Sequence, residues 1–160
     1  MKEMEQKNHE ESKSMERPEE SIRRFVKEFA DIWNQHNAKT MASCFVNDGE
    51  FTNVIGEHAS GRNEIEQMHI HPFKTILRDT IVTLKSMRSR WIHNKSIVVV
   101  DATWESTGNK TPEGQTLPIR YGLLTLIVGK DTDERWKIIV GHNVDYTSAY
   151  TQNDRKQISE

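Results

Sequence analysis

"TIVTLKSMRSRWIHNKSIVVVDATWEST", residues 80–107, sets two long runs of β-branched and aromatic residues either side of a short "HNK". The runs read as antiparallel strands, roughly Thr80 to Ile92 and Ser96 to Thr107, joined by a tight turn. Each is about twice the usual five or six residues, and strands of that length in a small sheet must twist and curl. Two more follow with no helix between them. They are "LPIRYGLLTLIVGK" (117–130), reached through the turn-rich "GNKTPEGQT", and "RWKIIVGHNVDY" (135–146), reached through "KDTDE".

Upstream the period changes from two to that of a helix. Ile22, Phe25, Val26, Phe29, Ile32 and Trp33 form one apolar stripe on a helix that starts near Glu20 and ends near His36. Asn37 is placed to N-cap a short second helix carrying Met41, Cys44 and Phe45, which closes in the turn "NDG". "EFTNVIG" then reads as a strand with Phe51, Asn53 and Ile55 on one face. A third helix is expected from about Asn63 to Ile70, stopping before Pro72, because the residue preceding proline avoids helical geometry. Helices first and then a run of strands predict an α+β domain, not alternating βαβ units. A curled antiparallel sheet with helices across its concave side encloses a cavity. The domain is expected over 20–147, between a disordered or loosely helical charged tail (1–19) and a polar tail (148–160), neither of which can offset its ordering entropy by burial.

Composition narrows the function classes. The chain has 160 residues, 29% charged and 34% hydrophobic, with a formal net charge of −2. That gives no basic footprint, so neither nucleic acid nor an anionic membrane is an expected partner. A single cysteine, Cys44, precludes an intramolecular disulfide and fits a reducing compartment. The first twenty residues lack the apolar segment of a signal peptide, and the longest apolar stretches fall far short of a membrane span. A cytoplasmic protein is expected. No Gly-rich loop links a strand to a helix as a nucleotide site requires, and no GxSxG is present. Cys44, inside the helical hairpin, reads as a small core residue.

Three segments resemble the nuclear-transport-factor-2-like superfamily, and within it the SnoaL-like or SgcJ/EcaC group. They are "FADIWNQHNAKTMASCFVNDGEFTNVIGEHASGRNEIEQMH" (29–69), "VVVDATW" (98–104) and "RWKIIVGHN" (135–143). The resemblance spans roughly residues 20–147. It implies a cone-shaped, cystatin-like α+β barrel: a strongly bent sheet round a long helix, a pocket at the open end, and a homodimer through the convex sheet face. It implies far less about activity, since the superfamily includes isomerases, cyclases, dehydratases and proteins that only bind, so function must come from the site.

Strict alternation along the last strand puts Trp136, Ile138, Val140, His142 and Val144 on the buried face, and Asn143 and Asp145 on the other. His142 is thus expected to look into the pocket from the strand's far end. On the third helix Ile65, Met68 and His69 share a face, so His69 is expected to look inward too. His71 diverges from His69 by about 200°. No carboxylate or cysteine stands at ligand spacing, so no metal or other cofactor is expected. Asn53 reads as a buried amide that needs partners, in a place where the resembled family also has an Asn. Trp33, Trp104 and Phe51 supply flat walls. Of Arg120 and Tyr121 one should face inward, an Arg being suited to an anion. A neutral imidazole beside amides and aromatic walls suits proton transfer next to a carbonyl, with His142 or His69 as base and Asn53 or Asn143 donating to the enolate oxygen. That describes a cofactor-free isomerase, cyclase or dehydratase. The sequence departs from the resembled enzymes in lacking an inward Asp paired with Tyr or His: Asp101 falls on the outer face, Asp31 off the helix stripe, and Asp145 near the strand's exit. A domain that binds an apolar or aromatic metabolite without turning it over, and a dimerisation module, are the alternatives.

Overall fold

The computed structural model describes residues 16–92 and 95–147. The expected tails over 1–15 and 148–160, and residues 93 and 94 of the "HNK" turn, lie outside the described residues.

The first helix, α1 (Pro18–Trp33), opens with proline at its first position and Glu19 and Glu20 in its first turn, where a missing N–H costs nothing and negative charge meets the helix dipole. Its stripe buries Ile22, Val26 and Phe29 against the sheet. Asn37 caps α2 (Ala38–Ala42) by accepting from the Thr40 N–H at 3.0 Å, as its residue type and place predict. The expected end of that hairpin at "NDG" is not there. Strand β1 (Phe45–Thr52) begins at Phe45, and Asn47, Asp48 and Gly49 lie inside it, at a break in its register with the strand beside it. A bulge absorbs the turn-forming residues without ending the strand. After β2 (His58–Ser60), α3 runs Arg62–Lys74 and passes through Pro72. The expected stop before Pro72 is overridden because Ile65, His69 and Phe73, four residues apart, all bury on one face, and that burial outweighs a lost backbone hydrogen bond.

Strands β3 (Ile81–Ile92), β4 (Ile97–Thr107), β5 (Arg120–Lys130) and β6 (Trp136–Asp145) make an antiparallel meander. The six-stranded sheet has the order β2-β1-β6-β5-β4-β3. The α+β fold with a curved sheet wrapped round an N-terminal helix is as expected. One pair departs from the antiparallel pattern: β1 lies parallel to β6, so the sheet is mixed, and with β2 and β3 at its edges it does not close on itself. Register shifts in β1, β3 and β6 bend the strands. Along β4 every second side chain from Val98 to Ser106 is buried, which puts Val98, Val100, Ala102 and Trp104 on the concave face. Among the described residues no helix is long and apolar enough to cross a membrane.

Candidate functional site

The concave face and the helices above it enclose a cavity of about 510 Å³, within the size range of small-molecule sites. Its floor is aromatic and aliphatic. Phe29 and Trp33 come from α1, Phe51 from β1, Trp104 from β4 and Leu124 from β5. Three connections form its rim: the β1–β2 turn, the segment after α3, and the β4–β5 loop.

Among the described residues His69 is the imidazole on this cavity, 4% exposed and ringed by Trp33, Phe51 and Phe73 at centroid distances of 5.2, 5.3 and 5.5 Å. Its Nδ1 lies 2.7 Å from the Ile65 carbonyl one turn earlier. A carbonyl only accepts, so Nδ1 carries the proton and Nε2 keeps its lone pair. Burial pushes the His69 pKa below its ordinary value, against a smaller opposing pull from the Ile65 hydrogen bond. The ring is a neutral base in a largely apolar box.

His142 is not on the cavity. It is exposed, on the outer face of β6, contrary to the parity reading. The cause is a β-bulge: Val128 pairs with Ile138 but Ile127 pairs with Val140, leaving Ile139 as one residue too many on β6. Every side chain beyond it changes face. Gly141 and Asn143 turn inward and His142 and Val144 outward. Gly141 then faces Phe51 so closely that a Cβ would stand 2.9 Å from that ring.

Asn143, read as outward by strict alternation, therefore lines the cavity. Its Oδ1 accepts from the Trp104 indole N–H at 2.7 Å. Asn53 also lines the cavity, but as the organiser of the β1–β2 turn: Oδ1 accepts from the Ile55 and Glu57 backbone N–H groups, and Nδ2 donates to the Glu57 carboxylate at 2.8 Å. Of the pair at the start of β5, Arg120 is the inward one, and Tyr121, 38% exposed, is absent from the lining. Arg120 is already engaged. Its Nε donates to Asp145 at 2.7 Å, Nη2 pairs with the same carboxylate, and Nη1 reaches the Asn109 Oδ1 at 3.3 Å. Asp145 also faces inward, for the same bulge-driven reason. Burial alone would raise its pKa, but hydrogen bonds from Thr147 and the Arg120 guanidinium outweigh it and hold the carboxyl below its usual range.

Sequence reasoning missed Ser106 and Asn109, both buried on the cavity wall and joined by a 2.9 Å hydrogen bond. Ser106 was legible as the next inward position after Trp104. Asn109, in a loop, carried no periodic signal. Asp101 sits on the outer face as expected, accepting from Arg88 and Thr125. Among the described residues no three His, Cys, Asp or Glu side chains gather as a metal site.

The fold agrees with the comparisons. An uncharacterised protein with a cystatin-like fold from Caulobacter vibrioides is 26% identical and superposes with a TM-score of 0.73, over 88% of this chain and 96% of that one. A putative scytalone dehydratase from Novosphingobium aromaticivorans, 19% identical, has a TM-score of 0.67 over 79% of this chain and 83% of its own. A ketosteroid isomerase-like protein from Erwinia carotovora atroseptica, 12% identical, reaches 0.68 over 80% and 95%. No curated protein matches the sequence. The SnoaL-like domain profile matches residues 26–126, which is more than half the chain. With its curved sheet, its long inner helix and its cavity, the chain belongs to the SnoaL-like domain family.

Proposed function

We propose that the cavity binds a largely apolar, ring-containing small molecule bearing a carbonyl group, and that His69 moves a proton at the carbon beside that carbonyl. The observation that carries this reading is the 2.7 Å contact of His69 Nδ1 with the Ile65 carbonyl. With Nδ1–H on the Ile65 carbonyl, Nε2 is left as a base held in an aromatic wall. Removal of an α-proton by Nε2 leaves the electron pair on the substrate oxygen as an enolate. Return of that proton from the imidazolium to another carbon completes isomerisation; trade of the Nε2 proton with solvent before return to the same carbon completes exchange. Loss of a β-hydroxyl as water, with the imidazolium giving it the proton, would make the same site a dehydratase. The named fold neighbours, a putative scytalone dehydratase and a ketosteroid isomerase-like protein, are compatible with chemistry of this class.

The test is deuterium exchange. A ring-bearing methyl ketone that stabilises the protein thermally is incubated in heavy water and followed by proton NMR. The wild-type chain is expected to speed α-deuteration, and His69→Gln to slow it by roughly a hundredfold or more. Equal rates for the two would remove His69 from the chemistry.

A second reading, a binding domain without turnover, draws on the carboxylates. Asp145 is held by Arg120 and Glu57 by Asn53, so neither stands ready as the partner of His69. Saturable binding with no exchange would favour it. We also propose that a second copy of the chain covers the convex sheet face, and that the chain falls with the SgcJ/EcaC group on the strength of the quoted motifs. Its single cysteine suits the cytoplasm.

A further inference from the structure

We propose that Trp104 sets the hydrogen-bonding polarity of the cavity, by locking Asn143 so that it presents an N–H donor, and never an acceptor, to the ligand. This rests on the reading of the cavity as a small-molecule site and narrows its ligand to one that places a carbonyl oxygen against Asn143.

An asparagine amide can ordinarily turn over, offering oxygen or nitrogen to the same point in space. An indole N–H only donates. Whatever atom of Asn143 sits 2.7 Å from Trp104 Nε1 must be its oxygen, so Nδ2 is the end left over. Nδ2 makes no hydrogen bond among the described residues and is not among the fully buried unpaired atoms, while Asn143 lines the cavity. A donor so placed is satisfied by a ligand acceptor or by water.

The lock holds only if the indole cannot swing away, and Gly122 is the device that seats it. Trp104 and Gly122 are direct partners across β4 and β5. A Cβ at Gly122 would stand 2.0 Å from Trp104 Cζ2 and 2.2 Å from Cε2, so the ring lies flat in the space an ordinary side chain would fill. Trp104 is 6% exposed, with Leu124 and Ala102 beside it in the core. Asn143 in turn pairs with Leu124 across β5 and β6, which aligns amide and indole on one wall. Trp104 is thus a positioning residue and Asn143 the group that meets the ligand.

The test compares 2-acetylnaphthalene with 2-isopropenylnaphthalene, which have nearly the same shape and differ in C=O against C=CH2, by calorimetric titration. Wild type is expected to prefer the ketone by roughly five- to tenfold, the value of one neutral hydrogen bond. Trp104→Phe keeps an aromatic ring but frees the amide to turn, so the preference, read as the ratio of the two affinities, falls to about twofold or less. Asn143→Leu removes the preference. Asn143→Asp still accepts from the indole but faces the ketone with a carboxylate, so the order inverts and the alkene binds better. Purely structural roles for the two residues would move both ligands together. Should Trp104→Phe retain the full preference, or wild type show none, the polarity lock is wrong while the apolar cavity stands. Should neither compound bind wild type, the cavity reading falls and takes the lock with it.

Discussion

His69 couples the cavity to folding through one proton. Its native pKa lies below the 6.5 of a free imidazole because burial penalises the charged ring. Between the two values the unfolded chain binds the proton and the native chain does not, so stability is full above pH 6.5 and is lost as pH falls toward the native pKa. Melting temperature is therefore expected to drop on acidification from pH 7 to 5 more in wild type than in His69→Phe, after subtracting the response common to both. Parallel profiles would mean that the ring is hydrated. A second residue-scale expectation concerns Gly122. Adding one methyl group pushes against the Trp104 indole and the Val144 carbonyl at once, neither of which has room to yield. Gly122→Ala is expected to cost about 1–3 kcal/mol in chemical denaturation and to broaden the indole fluorescence, whereas a value near zero would show that Trp104 sits loosely.

Among the elements, the edge strand β3 and the last strand β6 repay attention for different reasons. Asn34, just past α1, donates from Nδ2 to the Val82 carbonyl and accepts from the Val82 N–H, so one side chain stands in for a missing neighbouring strand. Asn34→Ala leaves both groups of β3 without that partner and is expected to cost about 1–2 kcal/mol, with faster hydrogen exchange at Val82 as the local readout. On β6 the decisive feature is the extra residue at Ile139. His142→Ala should leave ketone binding and deuterium exchange unchanged, while Asn143→Leu, one position on, alters ligand preference; an effect of His142→Ala on exchange would contradict the bulge. The same strand shows where reading the sequence succeeds and fails. Period-two alternation in β4 and period-four spacing in α1 and α3 follow from burial, which any single chain records, so Trp104, Phe29 and His69 were legible as inward. The bulge on β6 is a property of two strands in register, carries no glycine in a left-handed conformation to announce it, and inverts every position after it. Pro72 and "NDG" misled in the opposite way, as strong local signals overruled by the burial of Phe73 and Phe45.

At the scale of the whole molecule, the sheet has an outer face as well as an inner one. Leu123 stands opposite Val144, and Ile127 opposite both Val140 and Val99, forming apolar rows across β4, β5 and β6. Val144 is 53% exposed and Tyr121 38% exposed beside them. The sheet's edge at β3 offers little for extension, because Asn34 occupies Val82 and a register shift falls at Lys85, a bulge and a charge that both discourage strand addition. A second copy laid face to face, as proposed above, would bury the apolar rows without using an edge, and the two-fold symmetry of such a pairing would let one patch serve both partners. A polar row runs between them, with Thr125 opposite both Asp101 and His142 and Asp101 tied to Arg88 and Thr125, so such a contact would alternate apolar and polar rows. Equilibrium sedimentation is expected to show a dimer in the micromolar range, converted to monomer by Val144→Lys with Leu123→Glu. Because these side chains point away from the cavity, the monomeric variant should still bind the naphthyl ketone. A wild-type chain that sediments as a monomer at every attainable concentration would leave the convex face to some other partner and detach the cavity's function from assembly altogether.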